Sequence, residues 1–278
     1  MNKLRTLTTA GLVALAFVSG LAYTAWAASQ PSARRVTDIH VATLHVAPWR
    51  GGRRHGVKEC TWSGYTGQAA GYVRWQRHHL KTVTDYAQHD RNAVCAINGN
   101  TYVDSTLTPA GPVRTHGTWI SRRYHREPVF GFRGRRIVFG WRAVDRPGVT
   151  DVMSGKAWLV RKGRAITRHS QAPYTTPAQF GCGGRGTDGW YGCYRTAAVE
   201  FKGGRYGLVS IALASMPQAG RILVRMGAIQ AVTGDSGGGA EAWFEGHTFG
   251  TIPNGGRYSH WRRRIPDAVV VDAGGCAG

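Results

Sequence analysis

The sequence predicts an α+β fold, a single domain of mixed β-sheets with a few packed helices. Three observations carry this. Most apolar residues fall in runs of five to nine that alternate or are bounded by Gly, Pro or Asn, which is strand patterning. Only two segments have the caps and spacing of helices. The 278-residue chain is long enough to bury one substantial core.

The elements follow in order. Residues 1–27 have a positive start (Lys3, Arg5), an apolar stretch and the small-x-small Ala25-Trp26-Ala27, the pattern of a cleaved secretory signal peptide. Residues 28–36 read as a flexible leader, and 37–278 as the folded domain. VTDIHVATLHVA (36–47) alternates as a strand. TVTDYAQHD (82–90) reads as a short helix with Thr82 as N-cap, and AVCAI (93–97) as a buried strand stopped by Asn98-Gly99. Segments 128–132, 135–140 and 157–163 are strand-like, and 166–193 is a long loop. Residues 196–201 and 205–213 form a hairpin across Gly203-Gly204. SMPQAGRILVRM (215–226) is the strongest helix: Ser215 caps it, Pro217 suits its first turn and Gly227 ends it. AIQAV (228–232) and IPDAVVVD (265–272) close the chain as strands. Gly-Gly-Arg recurs four times with unrelated neighbours, so it is reused turn chemistry and not a repeat.

Net charge is +21, from 36 Lys plus Arg against 15 Asp plus Glu. Such a surface attracts polyanions. No nucleic-acid-binding module accompanies it, and export argues against nucleic acid as partner. No segment after the leader is apolar enough to span a bilayer, so no membrane insertion is expected once the signal is cleaved. In an oxidising compartment some of the five cysteines pair. Cys182 and Cys193 bracket a Gly-rich loop and form one expected bridge; Cys60–Cys95 is assigned as a second, leaving Cys276. No close Cys pair suggests a metal site.

TGDSGGG (233–239) raises a catalytic question. GDSGG is the nucleophile loop of chymotrypsin-like proteases, which need Ser, His and Asp as a unit. The candidate histidines upstream, His78, His79, His89 and His116, lie in WQRHHLK, AQHDR and RTHGT, none an apolar-flanked segment. A helix and a buried strand directly precede the motif, which is unlike a double β-barrel.

The same run resembles the phosphodiester glycosidases, the group of N-acetylglucosamine-1-phosphodiester α-N-acetylglucosaminidase, which uncovers mannose 6-phosphate. That family shows a helix, Gly-Ala, an apolar strand and an Asp-Gly-Gly-Gly-Ser-Ser loop. Here these read Gly227-Ala228, IQAVTG and Asp235-Ser236-Gly237-Gly238-Gly239-Ala240. A strand ending in Asn-Gly and then Pro-x-Gly corresponds to Asn98, Gly99, Pro109 and Gly111. Arg-Thr-Ala opening a strand corresponds to Arg195-Thr196-Ala197, and a late Arg to Arg263 or Arg264. The chain departs at Ser236 (family Gly), at Gly239 and Ala240 (family Ser) and at Gly234 (family bulky apolar).

The resemblance implies hydrolysis of the bond between a sugar's anomeric carbon and a phosphodiester oxygen; with the signal peptide and the basic charge, the expectation is a secreted enzyme acting on cell-wall or extracellular glycans. Its alternative is a non-catalytic binder of anionic wall polymers on the same scaffold. A carboxylate must stabilise oxocarbenium-like charge, and Arg with backbone N–H groups the departing phosphate. Asp235 is the leading carboxylate, with Asp104 and Glu241 as second candidates, and Arg195 is the phosphate clamp. Asn98, Gly99, Thr196, Ser236, Gly237, Gly238, Gly239, His116, Arg263 and Arg264 are candidate substrate contacts. No cofactor is expected. Asp235 and Asn98 are of the type that ligates a hard cation, but nothing in the sequence requires one.

Overall fold

The computed structural model describes residues 39–46, 55–65, 68–75, 80–99, 102–103, 108–122, 127–172, 175, 180, 194–212, 214–236, 240–249 and 265–273, with backbone alone at 40–46, 55–56, 72, 102–103 and 235–236. The signal peptide, the leader, Asp104, Cys182, Cys193, Gly237, Gly238, Gly239, Arg263 and Arg264 lie outside these.

The strands, in chain order, begin with β1 (Ile39–Val46), β2 (His55–Ser63), β3 (Ala70–Trp75), β4 (Ala93–Asn98), β5 (Tyr102–Val103) and β6 (Thr108–Pro109). There follow β7 (Val113–Thr115), β8 (Thr118–Ser121), β9 (Val129–Arg133), β10 (Arg136–Phe139), β11 (Asp151–Ser154), β12 (Ala157–Arg161) and β13 (Arg164–Ala165). The last are β14 (Arg195–Phe201), β15 (Arg205–Ile211), β16 (Ala228–Ser236), β17 (Ala242–Phe244), β18 (His247–Phe249) and β19 (Asp267–Asp272). Three α-helices are described: α1 (Val83–Gln88), α2 (Trp141–Val144) and α3 (Met216–Arg225). The α+β prediction holds. Where the sequence suggested mixed sheets, every described pairing is antiparallel.

A seven-stranded sheet has the order β1-β2-β15-β14-β16-β12-β13. β14 and β15 are the predicted hairpin, turned by Gly203 and Gly204, both at positive φ where a side chain is strained. α3 then carries the chain over β14 to β16 on its far side. Ser215 caps it as expected, and Gln218 completes a capping box: Ser215 Oγ accepts from Gln218 N at 3.3 Å, and Gln218 Oε1 accepts from Ser215 N at 2.8 Å. Its apolar stripe (Met216, Ala219, Ile222, Leu223) packs on Leu159, Val199, Phe201 and Ile211 of the sheet. Gly220 is a close-packing position, since a Cβ there would stand 2.5 Å from the Leu159 carbonyl oxygen.

A five-stranded sheet, β18-β17-β4-β19-β3, is covered on one face by α1 through Val83, Tyr86, Ala87, Ala96, Trp243 and Val270. Thr82 caps α1 as expected, accepting from Asp85 N at 3.1 Å. A third sheet, β10-β9-β11-β7-β8, holds its own small core of Val129, Val144, Val149 and Val152. β2 and β3 were not expected from the sequence. HGVKECTWS has no clean alternation because β2 lies between β1 and β15 with Glu59 and Thr61 buried in it.

The Cys60–Cys95 disulfide joins β2 of the first sheet to β4 of the second across 35 residues of sequence, which bears out that pairing. Both cysteines are fully buried. Closing a loop of this length restricts the unfolded chain by about 4 kcal/mol in the chain-entropy account. A Cys60→Ala, Cys95→Ala double variant is therefore expected to lose about 3–4 kcal/mol of unfolding free energy in urea titration. A loss under about 1 kcal/mol would show that the bridge adds little. Among the described residues, no helix is long and apolar enough to cross a membrane.

Candidate active site

The three larger sheets meet at the end of β4. Asn98 is 1% exposed and both polar atoms of its side chain are hydrogen-bonded. Thr196 Oγ1 donates to Asn98 Oδ1 at 2.6 Å, and Asn98 Nδ2 donates to Gly99 O at 3.2 Å. Thr233 Oγ1 then donates to Thr196 O at 2.8 Å. One buried polar chain thus ties β4 to β14 and β14 to β16. In a low-dielectric interior such a network fixes its members closely, because each bond lost leaves a buried polar atom unsatisfied.

Two glycines make this meeting possible. A Cβ on Gly234 would lie 2.8 Å from both the Asn98 and the Gly99 carbonyl oxygens, so β16 touches β4 backbone to backbone. That contact explains why glycine stands where the resembling family has a bulky residue. A Cβ on Gly99 would overlap the Asp267 carboxylate and approach Met153 Cε at 2.6 Å. Gly99 N also donates to Asp267 O at 3.1 Å. Gly234→Ala is expected to lower stability by about 1–3 kcal/mol, the scale of overpacking a dense core. It should also reduce turnover, since the backbone that must yield is that of Asn98 and Gly99. Thermal denaturation and steady-state kinetics check both effects.

TGDS lies in β16, which runs beyond its expected end at Val232 to Ser236. Its register against β14 shifts. Arg195 faces Ser236 and Ala197 faces Thr233, so β16 carries one extra residue, within Gly234-Asp235, opposite Thr196. Bulges of this kind occur beside active sites, where they re-aim a side chain. Asp235 stands in this bulge, immediately before the Gly-rich loop.

Arg195 is 0% exposed, and it is the one buried Lys or Arg among the described residues. Its Nη1 donates to Tyr194 O at 3.2 Å. In a chain with 36 basic residues an arginine is ordinarily a solvated surface group. Burying a guanidinium costs several kcal/mol unless it is well partnered, so this position is structurally determined. Arg195 and Asp235 are brought within two residues of each other across the β14–β16 ladder.

The other candidates separate. Glu241 is buried, but its Oε1 accepts from Thr84 Oγ1 at 3.0 Å and Thr84 N at 3.4 Å, at the start of α1. Its main-chain oxygen accepts from Asn98 N at 3.0 Å. Glu241 therefore anchors the far end of the Gly-rich loop onto Asn98. His116 is exposed at the β7–β8 turn, where its backbone N–H donates to Asp151 Oδ1 at 3.2 Å. Its described bonds do not join the Asn98–Thr196–Thr233 network.

Asp267, the first residue of β19, was not singled out from the sequence, where it reads as the edge of an apolar strand. It is 0% exposed, and its carboxylate borders Gly99. Its charge acts on the neighbouring Tyr86 phenol, which is pushed up first by burial and then by Asp267. Tyr86 donates to the Ile265 and Pro266 carbonyls at 3.2 and 2.8 Å. Among the described residues, no three His, Cys, Asp or Glu side chains are grouped as a metal site.

The family model of phosphodiester glycosidases matches residues 91–272. The chain belongs to the phosphodiester glycosidase family. The match takes in Asn98, Arg195, Thr196, Asp235 and Asp267, whereas β1, β2 and β3 precede it and complete the sheets. A hypothetical protein from Synechocystis has a similar solved structure, with a TM-score of 0.67 at 12% identity over 84% of this chain. This chain spans 62% of that one. The catalytic domain of zebrafish N-acetylglucosamine-1-phosphodiester alpha-N-acetylglucosaminidase, auto-inhibited by its pro-peptide, gives a TM-score of 0.59 at 18% identity, covering 84% of this chain and 82% of that one. At such identities these two show a shared fold. No curated protein matches the chain. The chymotrypsin-like alternative fails on architecture: α3 and the β16 ladder place Ser236 in a phosphodiester glycosidase sheet and not in a double barrel.

Proposed function

We propose that this chain is an exported hydrolase that cleaves sugar-1-phosphodiesters at the bond between the anomeric carbon and oxygen. The observation that carries the proposal is the buried Arg195 beside the β16 bulge that holds Asp235. Family membership supports the reaction class. Water adds to C1 as the C1–O bond breaks. The electron pair leaves on the phosphate oxygen, giving a reducing sugar and a phosphomonoester.

Each group has a task. Asp235, negatively charged, stabilises the oxocarbenium-like carbon. Arg195 meets the phosphate oxygens with its planar fork. Asn98 and Thr196 hold the floor of the site, and Gly237, Gly238 and Gly239 allow backbone N–H groups to approach the phosphate. The phosphate is already a fair leaving group, so the demand on a general acid is smaller than in ordinary glycosides. The apolar start of the chain and the Cys60–Cys95 bridge support export to an oxidising compartment, where wall or extracellular glycans carry such diesters.

A nitrophenyl phosphodiester of N-acetylglucosamine tests the assignment. The expected products are N-acetylglucosamine and nitrophenyl phosphate. Release of free nitrophenol instead would place cleavage on the wrong side of the phosphorus and overturn the proposal.

A further inference from the structure

The end of β14 remote from Arg195 presents a different surface. Seven strand residues separate the two ends by about 20 Å. Here the segment after β2, the β9–β10 turn and the β14–β15 turn are stitched together. Gly64 N donates to Gly204 O at 3.0 Å, Trp62 Nε1 to Arg135 O at 2.8 Å, Arg135 Nε to Ser63 O at 3.3 Å, and Tyr65 N to Ser63 Oγ at 3.1 Å.

These bonds hold Tyr65 outward. It is 67% exposed, the one large hydrophobic side chain left exposed among the described residues. A side chain on Gly204 would overlap the Tyr65 ring, and Gly204 sits at φ +70°, so both backbone and ring require glycine there. The Arg136 guanidinium lies over the Tyr65 ring, 4.8 Å from its centroid, and Arg205 lies over Phe201 at 4.7 Å. Lys202 is exposed in the intervening turn, and Glu200 is half-buried beside Tyr206.

The chemistry of this patch is specific. An aromatic ring offers a flat surface on which the C–H face of a sugar packs, and stacked guanidiniums offer forks to phosphate. Charge complementarity with a +21 chain selects an anionic occupant, and the aromatic ring selects one that carries sugar rings.

We propose that the Tyr65–Arg136 surface is a second binding site, remote from the Arg195 end, for a phosphate-bearing polysaccharide. It binds polymer independently of hydrolysis.

The test compares binding of the full chain to a glycosylated poly(glycerol phosphate), to polyglutamate and to dextran at physiological salt. Tyr65→Ala is expected to weaken the sugar-phosphate polymer by about fivefold, the scale of one lost aromatic contact, and to leave polyglutamate unchanged. Tyr65→Phe should restore binding, and Arg136→Ala should weaken both polyanions. Because Tyr65 is exposed, thermal melting of the variants should match the parent. Tyr65→Ala turnover of the small nitrophenyl diester should also match, which separates this site from the catalytic reading. Unchanged polymer binding by Tyr65→Ala, equal losses for both polyanions, or no polymer binding by the parent would each overturn the proposal.

Discussion

Replacing Arg195 by lysine is expected to lower kcat/KM for a sugar-1-phosphodiester by about 10²–10³-fold, the effect of losing one preorganised donor to a developing anion. Lysine keeps the charge but replaces a planar fork with a single ammonium. The loss should appear in kcat, because negative charge builds on the departing phosphate only in the transition state. Alanine is the wrong substitution for this purpose. Arg195 is fully buried on the central strand of the seven-stranded sheet, so truncation would leave a cavity and stranded partners, at about 3–5 kcal/mol. Lysine should leave a cooperative unfolding transition. Activity within threefold of the parent would remove Arg195 from the site.

Asp235→Asn should be more damaging to turnover, on the order of 10³-fold or more, the scale reached when a charged catalytic group is removed. Asparagine preserves shape and backbone preferences at the β16 bulge, so register and stability should be retained. What is lost is the negative charge that offsets oxocarbenium character. Steady-state kinetics together with a melting curve check this: unchanged melting with collapsed kcat is the expected pattern. Collapse of both would assign Asp235 to holding the turn.

The parts legible in the sequence are those governed by local chemistry. Ser215, Pro217 and Gly227 mark α3 because capping and φ preferences are read within one turn. Gly203-Gly204 marks the β14–β15 hairpin for the same reason. The strand end bearing Asn98 and the strand start bearing Thr196 are each legible in the sequence as family-like motifs. Their 2.6 Å hydrogen bond spans 98 residues of sequence and belongs to tertiary packing. Likewise β16 reads as ending at Val232, because Gly234 looks like a breaker until Asn98 and Gly99 are found against it. Asp267 was hidden by its apolar neighbours. It opens a strand that is buried throughout, and a lone acid beside such a run gives no periodic signal. Glu241 shows the reverse: an acid that stands out in the sequence but whose carboxylate is engaged by Thr84.

The central claim is that this site breaks a glycosyl bond and not a phosphoryl one. Hydrolysis of N-acetylglucosamine-1-phosphodiester in ¹⁸O-labelled water, followed by mass analysis of the phosphomonoester, tests it most directly. The account predicts a phosphomonoester free of ¹⁸O, with the label entering the sugar, and no turnover by Asp235→Asn. Label in the phosphate, or undiminished turnover by that variant, would contradict it.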